Sequence, residues 1–215
     1  MNNRIIGITG SIGTGKTTVS NYLANTHKLP VFDADILARE AVGSGSTILE
    51  KIVERYGTDI ILNDGNLNRQ KLGNIIFNQP NERIWLEQQI HPYVRDRFLQ
   101  ATAQLSANAT AVFAIPLIFE AKMTDLVTEI WVVFAEKEIQ LNRLMQRDGL
   151  SLEQANARIN SQIPLAEKCE KADVILDNSS SLEALLQQVD AAFNQKVYLN
   201  NLVTFGEKYG INCSE

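Results

Sequence analysis

Eight residues near the start of the chain, Gly10-Ser11-Ile12-Gly13-Thr14-Gly15-Lys16-Thr17, constrain the fold more than any other stretch. They follow the apolar run Ile5-Ile6-Gly7-Ile8 and open a segment in which Val19, Tyr22 and Leu23 recur at helical spacing. The order is therefore strand, phosphate-binding loop, helix. The spacing fits G-x-x-x-x-G-K-S/T, in which glycine-permitted backbone angles aim successive N–H groups at phosphate oxygens. In that frame Lys16 reaches the β- and γ-phosphates and Thr17 offers its hydroxyl to a phosphate-bound Mg²⁺. The positive end of the following helix adds a partial charge at the same point.

The rest of the chain reads as alternating strands and helices. Lys16 to Asn25 is expected as a helix, and Val31-Phe32 as a short strand ending in Asp33-Ala34-Asp35. In open α/β sheets the ligand crevice lies beyond the carboxyl ends of the strands, which brings these acids toward the phosphates. Asp35 suits the N-cap of a helix from Ile36 to Val42, leaving Asp33 for chemistry. Ser46 caps a helix from Ile48 to Tyr56, Asn63-Asp64-Gly65-Asn66 signals a small hairpin, and Arg69 to Phe77 reads as a further helix. From Pro80 to Leu105 apolar residues keep helical spacing, but Pro92 is expected to break or kink the helix and expose His91.

Ala111 to Ile115 and Ile130 to Phe134 are continuous apolar runs suited to parallel strands buried on both faces. Lys137 to Asp148 is helical, with Gln140, Arg143 and Arg147 forming a polar stripe and Gly149 stopping the helix. Ser151 and Gln154 form a capping box for a second helix, on which Arg158 and Gln162 lie one turn apart before Pro164. Few acidic partners stand at i±4 from Arg143 and Arg147, so this pair of helices reads as a cover for a phosphate site. Asp173 to Leu176 is the last strand, Asn178 follows it on the ligand side, and Ser180 with Glu183 is expected to cap a final amphipathic helix.

The pattern predicts an α/β fold, a doubly wound, mostly parallel sheet. A formal charge of -5 over 215 residues lacks the basic footprint of a nucleic-acid binder. No apolar run reaches membrane-spanning length, and the distant Cys169 and Cys213 match no metal or redox spacing. Free thiols of a reducing, cytoplasmic setting are expected.

Taken together these motifs resemble the dephospho-coenzyme A kinases. They are Gly7-Ile8-Thr9-Gly10 through Lys16-Thr17-Thr18, Asp33-Ala34-Asp35, Leu86-Glu87 with Ile90-His91-Pro92-Tyr93-Val94, Pro116-Leu117-Ile118-Phe119-Glu120, Gln140 through Asp148, and Ala172-Asp173 with Asp177-Asn178. The likeness runs from Ile5 to about Phe193. It implies a five-stranded sheet of P-loop NTPase type with a helical substrate-binding insertion and a lid. The implied division is a nucleotide core at 1–33, 107–136 and 172–198, a substrate lobe at 34–106, a lid at 137–171 and a tail at 199–215.

The implied reaction moves the γ-phosphate of ATP, with Mg²⁺, to the ribose 3′-hydroxyl of dephospho-coenzyme A, the last step of coenzyme A synthesis. Ser11, Gly13, Thr14, Gly15, Lys16, Thr17 and Thr18 would hold the phosphates, with Asn178 near the adenine. Asp33 would act as base, Lys16 and Arg147 as catalytic cations with Arg143 second, and Asp35, His91 and Pro92 would meet the acceptor. Ser11 stands where members commonly have glycine, and Ala114 where many have aspartate, which leaves the base role to Asp33. A monomer or weak homo-oligomer is expected. Two rivals remain at this point: a small-molecule kinase with another acceptor, and a nucleotide-dependent switch, which the lack of an N-K-x-D segment disfavours.

Overall fold

The computed structural model describes residues 3–194 together with 206, 209 and 210. The expectation for the tail at 199–215 therefore lies outside the described residues except at 206, 209 and 210, and the thiol of Cys213 lies outside them. Cys169 is buried and forms no disulfide among the described residues.

The elements in chain order are β1 (Arg4–Gly10), α1 (Lys16–Asn25), β2 (Val31–Asp33), α2 (Ala34–Ala41), α3 (Thr47–Tyr56), α4 (Arg69–Asn78) and α5 (Pro80–Gln104). They continue as β3 (Thr110–Ala114), β4 (Glu129–Phe134), α6 (Lys137–Asp148), α7 (Leu152–Asn160), α8 (Leu165–Cys169), β5 (Val174–Asp177) and α9 (Leu182–Phe193). Five strands form one sheet in the order β2-β3-β1-β4-β5. The ladders of β1 with β3, β1 with β4 and β4 with β5 are parallel, as the apolar runs require. Ile8 faces Ala114 and Gly10 faces Val133 across β1, so the loop after Gly10 emerges in the middle of the sheet's carboxyl edge.

Alternation along the strands divides the core between two faces. Ile6, Ile8, Trp131, Val133, Val174 and Leu176 point to the side covered by α1 through Val19 and Leu23 and by α9 through Leu185 and Val189. Each such aliphatic side chain, taken out of water, contributes about 1.5–3 kcal/mol. Val132, Phe134 and Ile175 point the other way, against Cys169 and Leu165 of α8 and against Tyr209. The Tyr209 hydroxyl donates to Asp177 Oδ2 at 2.9 Å.

The chain forms two compact units, Met1–Phe32 with Leu105–Glu215, and Asp33–Gln104. The second has its own core, built from Ala41, Ile48, Ile52, Ile60, Leu72 and Leu86.

Four local expectations are corrected. Helix α2 begins at Ala34, and its cap is Asp33, not Asp35: Asp33 is extended (φ -111, ψ 121) and its side chain accepts from the amides of Asp35 and Ile36. Only a residue still outside the helix can bend its side chain back onto the free first-turn amides, and Asp35 is already inside. The hairpin around Asp64-Gly65 reduces to one antiparallel bridge, Ile61 to Leu67. Pro92 does not interrupt α5, which continues from Pro80 to Gln104. Proline removes a single ladder bond, and burial of Leu86 before it and Val94, Phe98 and Ala101 after it holds both halves in one helix. The cap of α9 is Ser181, whose Oγ accepts from Ala184, rather than Ser180.

Candidate active site

The phosphate loop closes the end of β1 and delivers the chain to α1. Gly15 caps that helix in the left-handed region (φ 102, ψ 23), with no side chain bonded to the first-turn amides. A side chain is excluded there on two counts: the φ is costly for any L-residue, and an added Cβ would stand 2.3 Å from Asn178 Nδ2. The open amides and the helix dipole therefore lie at the turn that carries the exposed Thr17 and Thr18.

The loop is braced by side chains from elements distant in sequence. Asn178, buried after β5, donates from Nδ2 to Thr14 O at 2.8 Å. Arg143 of α6 donates from Nη1 to Gly13 O at 3.3 Å and from Nη2 to Asn178 O at 3.0 Å. Gln162, just past α7, accepts through Oε1 from Ile12 N at 2.9 Å and Ser11 Oγ at 3.1 Å. Thr14 Oγ1 donates to Ser11 O at 2.9 Å. The Lys16 ammonium folds over the loop, donating to Ser11 O at 2.8 Å and to Gly10 O at 3.3 Å. Beside it a cavity of about 250 Å³ is lined by Gly15, Thr18, Arg143, Asn178, Ser180 and Leu182.

The expected polar stripe on α6 splits three ways. Gln140 is buried and donates from Nε2 to Ala135 O at 2.7 Å, so it is not part of a polar surface. Arg143 is committed to the loop carbonyls. Arg147 is not short of an acidic partner: its Nε and Nη2 meet Asp148 Oδ1 and Oδ2 at 2.7 and 2.9 Å. Arg158 of α7 shares the same carboxylate at 3.1 Å. The hydrogen bonds from Arg147 hold the Asp148 carboxyl below its usual range, and Asp148 in return raises the Arg147 guanidinium. Two arginines are thus stored on one aspartate.

In the second unit the residues expected to meet the acceptor are placed as follows. Asp33 is the last residue of β2, and both amide contacts, at 2.8 and 3.4 Å, fall on its Oδ1. Asp35 lies exposed in the first turn of α2. His91 is half-buried and Pro92 exposed, both within the unbroken α5. His91 follows Ile90, which lines a cavity of about 200 Å³ with Val42, Leu67, Leu72, Arg39 and Arg69. A polar cluster that the sequence did not signal sits on the same unit. Glu82 takes Arg55 Nε and Nη2 at 2.6 and 2.8 Å and the Tyr56 hydroxyl at 2.6 Å, and Arg55 lies 4.5 Å from the Trp85 ring centre. Arg55, then Tyr56, lower the Glu82 carboxyl to about 2. Burial and the Glu82 contact push Tyr56 up to about 12.

Comparison with known proteins identifies the family. The sequence model of the dephospho-CoA kinase family matches residues 4–184. A dephospho-CoA kinase of Trichormus variabilis is 63% identical over 194 residues, covering 90% of this chain and 98% of that one. The crystal structure of a Thermus thermophilus protein superposes with a TM-score of 0.76 at 33% identity, over 92% of this chain and 100% of its own. The dephospho-CoA kinase from Campylobacter jejuni gives 0.68 at 32% identity, over 90% and 97%. With a phosphate loop of this geometry and a match over most of its length, the chain belongs to the dephospho-CoA kinase family.

Proposed function

We propose that the chain transfers the γ-phosphoryl group of ATP to the ribose 3′-hydroxyl of dephospho-coenzyme A, the last step of coenzyme A synthesis. The observation that carries this reading is the braced phosphate loop in a chain 63% identical to a dephospho-CoA kinase. Phosphoryl transfer asks the protein for in-line positioning and charge neutralisation, and the loop supplies both.

The amides from Gly13 to Thr18 cradle the phosphates, and Lys16 exchanges its loop carbonyls for the β- and γ-oxygens. Ser11 stands at the loop's entrance. The cavity along Gly15, Thr18, Arg143 and Asn178 suits the nucleoside. At the cation's place the protein offers a hydroxyl, Thr17, which suits Mg²⁺ brought in on the triphosphate. When bound, Mg²⁺ neutralises charge shared by the β- and γ-phosphates.

Asp33, the last residue of a strand in the sheet whose β1 leads into the loop, accepts the proton of the 3′-hydroxyl. The ribose oxygen bonds to the γ-phosphorus as the bond to the bridging oxygen breaks, and ADP leaves. Arg147 releases Asp148 and meets the transferring group, with Arg143 holding the loop carbonyls behind it. Residues 137–171 act as the lid and 34–106 as the acceptor lobe, where Asp35, His91 and Pro92 meet the acceptor. The apolar cavity rimmed by Arg39 and Arg69 fits the pantetheine arm and the phosphates attached to it. Among the described residues no helix is long and apolar enough to cross a membrane. We read the working place as the cytoplasm, the chain as a monomer or weak homo-oligomer, and nucleic acid as no partner, in keeping with a net charge of -5.

ADP release from Mg-ATP, followed across a panel of acceptors, tests the reaction. Dephospho-coenzyme A should stimulate it far above nucleosides, nucleoside monophosphates and shikimate. Equal release without any acceptor would replace the kinase with a nucleotide-dependent switch. Asp33→Asn should leave ATP binding nearly intact and cut turnover about a hundredfold or more. A variant that keeps half its rate would remove Asp33 from the reaction.

A further inference from the structure

The loop's entrance is tied to the segment after α7 through a closed path of polar contacts. Thr9, next to the loop, donates from Oγ1 to Pro116 O at 3.0 Å. The same carbonyl accepts from Lys168 Nζ at 3.2 Å, and Lys168, wholly buried, also holds Glu120 Oε1 at 2.8 Å. Glu120 Oε1 in turn takes the amide of Ile163 at 3.3 Å. The residue before it, Gln162, closes the path on Ser11 Oγ and Ile12 N at 3.1 and 2.9 Å.

Two features make this more than loop packing. A fully buried ammonium is costly to desolvate, and it persists where fixed partners surround it; Lys168 has two. Through Glu120 Oε1 it is linked to the backbone amide of Ile163, the residue next to Gln162. The donors that Gln162 engages are also the ones at the loop's leading edge, where the backbone turns from β1 toward the phosphates. Arg143 and Asn178 brace the loop's far half at Gly13 and Thr14, and Gln162 braces its near half.

We propose that Gln162 is a positioning residue for ATP: its carboxamide oxygen holds Ser11 and Ile12 so that the loop amides are aimed before the triphosphate arrives. Preorganisation of this kind is felt in nucleotide affinity rather than in the chemical step. The proposal rests on the reading of the loop as the ATP site. That reading fails if the unaltered chain shows no acceptor-dependent use of ATP, whereas this proposal is judged on variants of an active chain.

The test measures KM for ATP and kcat at saturating dephospho-coenzyme A for the unaltered chain, Gln162→Ala, Gln162→Met, Ser11→Ala and the Ser11→Ala, Gln162→Ala double variant. Gln162→Ala and Gln162→Met should each raise KM for ATP about tenfold, with kcat falling less than about threefold. Methionine keeps the volume and loses the acceptor, so agreement between the two assigns the effect to the hydrogen bonds. Ser11→Ala should raise KM about threefold, and the double variant should be no worse than Gln162→Ala, because the hydroxyl has already lost its partner. A Gln162→Met enzyme with KM within twofold of the unaltered chain, a loss confined to kcat, or additive effects in the double variant would each overturn the proposal.

Discussion

The phosphate loop and the α6–α7 pair lie in the same unit but spend their polar groups in opposite ways. Loop carbonyls and amides are held from outside, by Asn178, Arg143 and Gln162, over separations of 130 to 164 residues. Apart from Arg143, which reaches out to the loop, the arginines of α6 and α7 are held within the pair, with Arg147 and Arg158 both on Asp148. The first arrangement fixes a backbone shape before a ligand arrives. The second keeps cations in reserve, paired at exposed positions where exchange for a phosphate costs little. In the proposed reaction the first would serve as the cradle that holds the phosphates still, and the second as a clamp exchanged onto them when the cover closes.

The comparison breaks first at Gly15. If the loop works by shape, Gly15→Ala should abolish productive ATP use, with kcat/KM falling by about three powers of ten, because φ 102 is strained for alanine and the added methyl meets Asn178. Near-normal kinetics in that variant would mean that the loop tolerates a change of shape. The clamp is tested by Arg147→Ala, which should lower kcat by about ten- to a hundredfold and move KM for ATP far less. A change confined to KM would instead make Arg147 a ground-state binder. Asp148→Asn sharpens the contrast, since it frees both arginines: a change of about threefold or less in kcat/KM is expected, with little effect on melting. If Asp148→Asn were as damaging as Arg147→Ala, the pair would be structural rather than a reserve.

The smallest effect lies outside both regions and concerns acid stability. Glu82 has a folded pKa of about 2 against an ordinary 4.5, lowered first by Arg55 and then by Tyr56. A depressed carboxyl stabilises the fold above its unfolded pKa and loses that contribution as protons bind. The stability of the chain should therefore fall between about pH 4.5 and 2, and Glu82→Gln should flatten that part of the profile. Denaturant midpoints taken across this range would show it, and parallel curves for the two proteins would contradict it.

Which of these features could be read from the sequence follows from where their physics resides. The loop was legible because each of its jobs demands a residue type: glycine for positive φ, lysine for reach, threonine for a hydroxyl. The parallel strands were legible because burial on both faces leaves unbroken apolar runs such as Ala111 to Ile115. The assignment of the α2 cap was not, since Asp33 and Asp35 are chemically alike and only the point where the backbone turns helical chooses between them. Pro92 misled because burial on both sides of it outweighs the one ladder bond that proline removes. The partner of Arg147 was missed because helix-face spacing looks three or four residues away, whereas the carboxylate is the very next residue, shared with Arg158 ten positions on. Gln162 was legible only as a neighbour of Arg158 and Glu120 only as part of the Pro116 to Glu120 motif, and Lys168 not at all, because the contacts that join them to each other and to the loop span long stretches of chain.

The most direct test of the account follows the phosphorus itself. The chain is incubated with γ-labelled Mg-ATP and dephospho-coenzyme A, and the nucleotide products are separated and weighed by mass spectrometry. The account predicts one labelled phosphate on the acceptor, at the ribose 3′-oxygen, in step with ADP formed. Label recovered as inorganic phosphate, or on any other position of the acceptor, would contradict it.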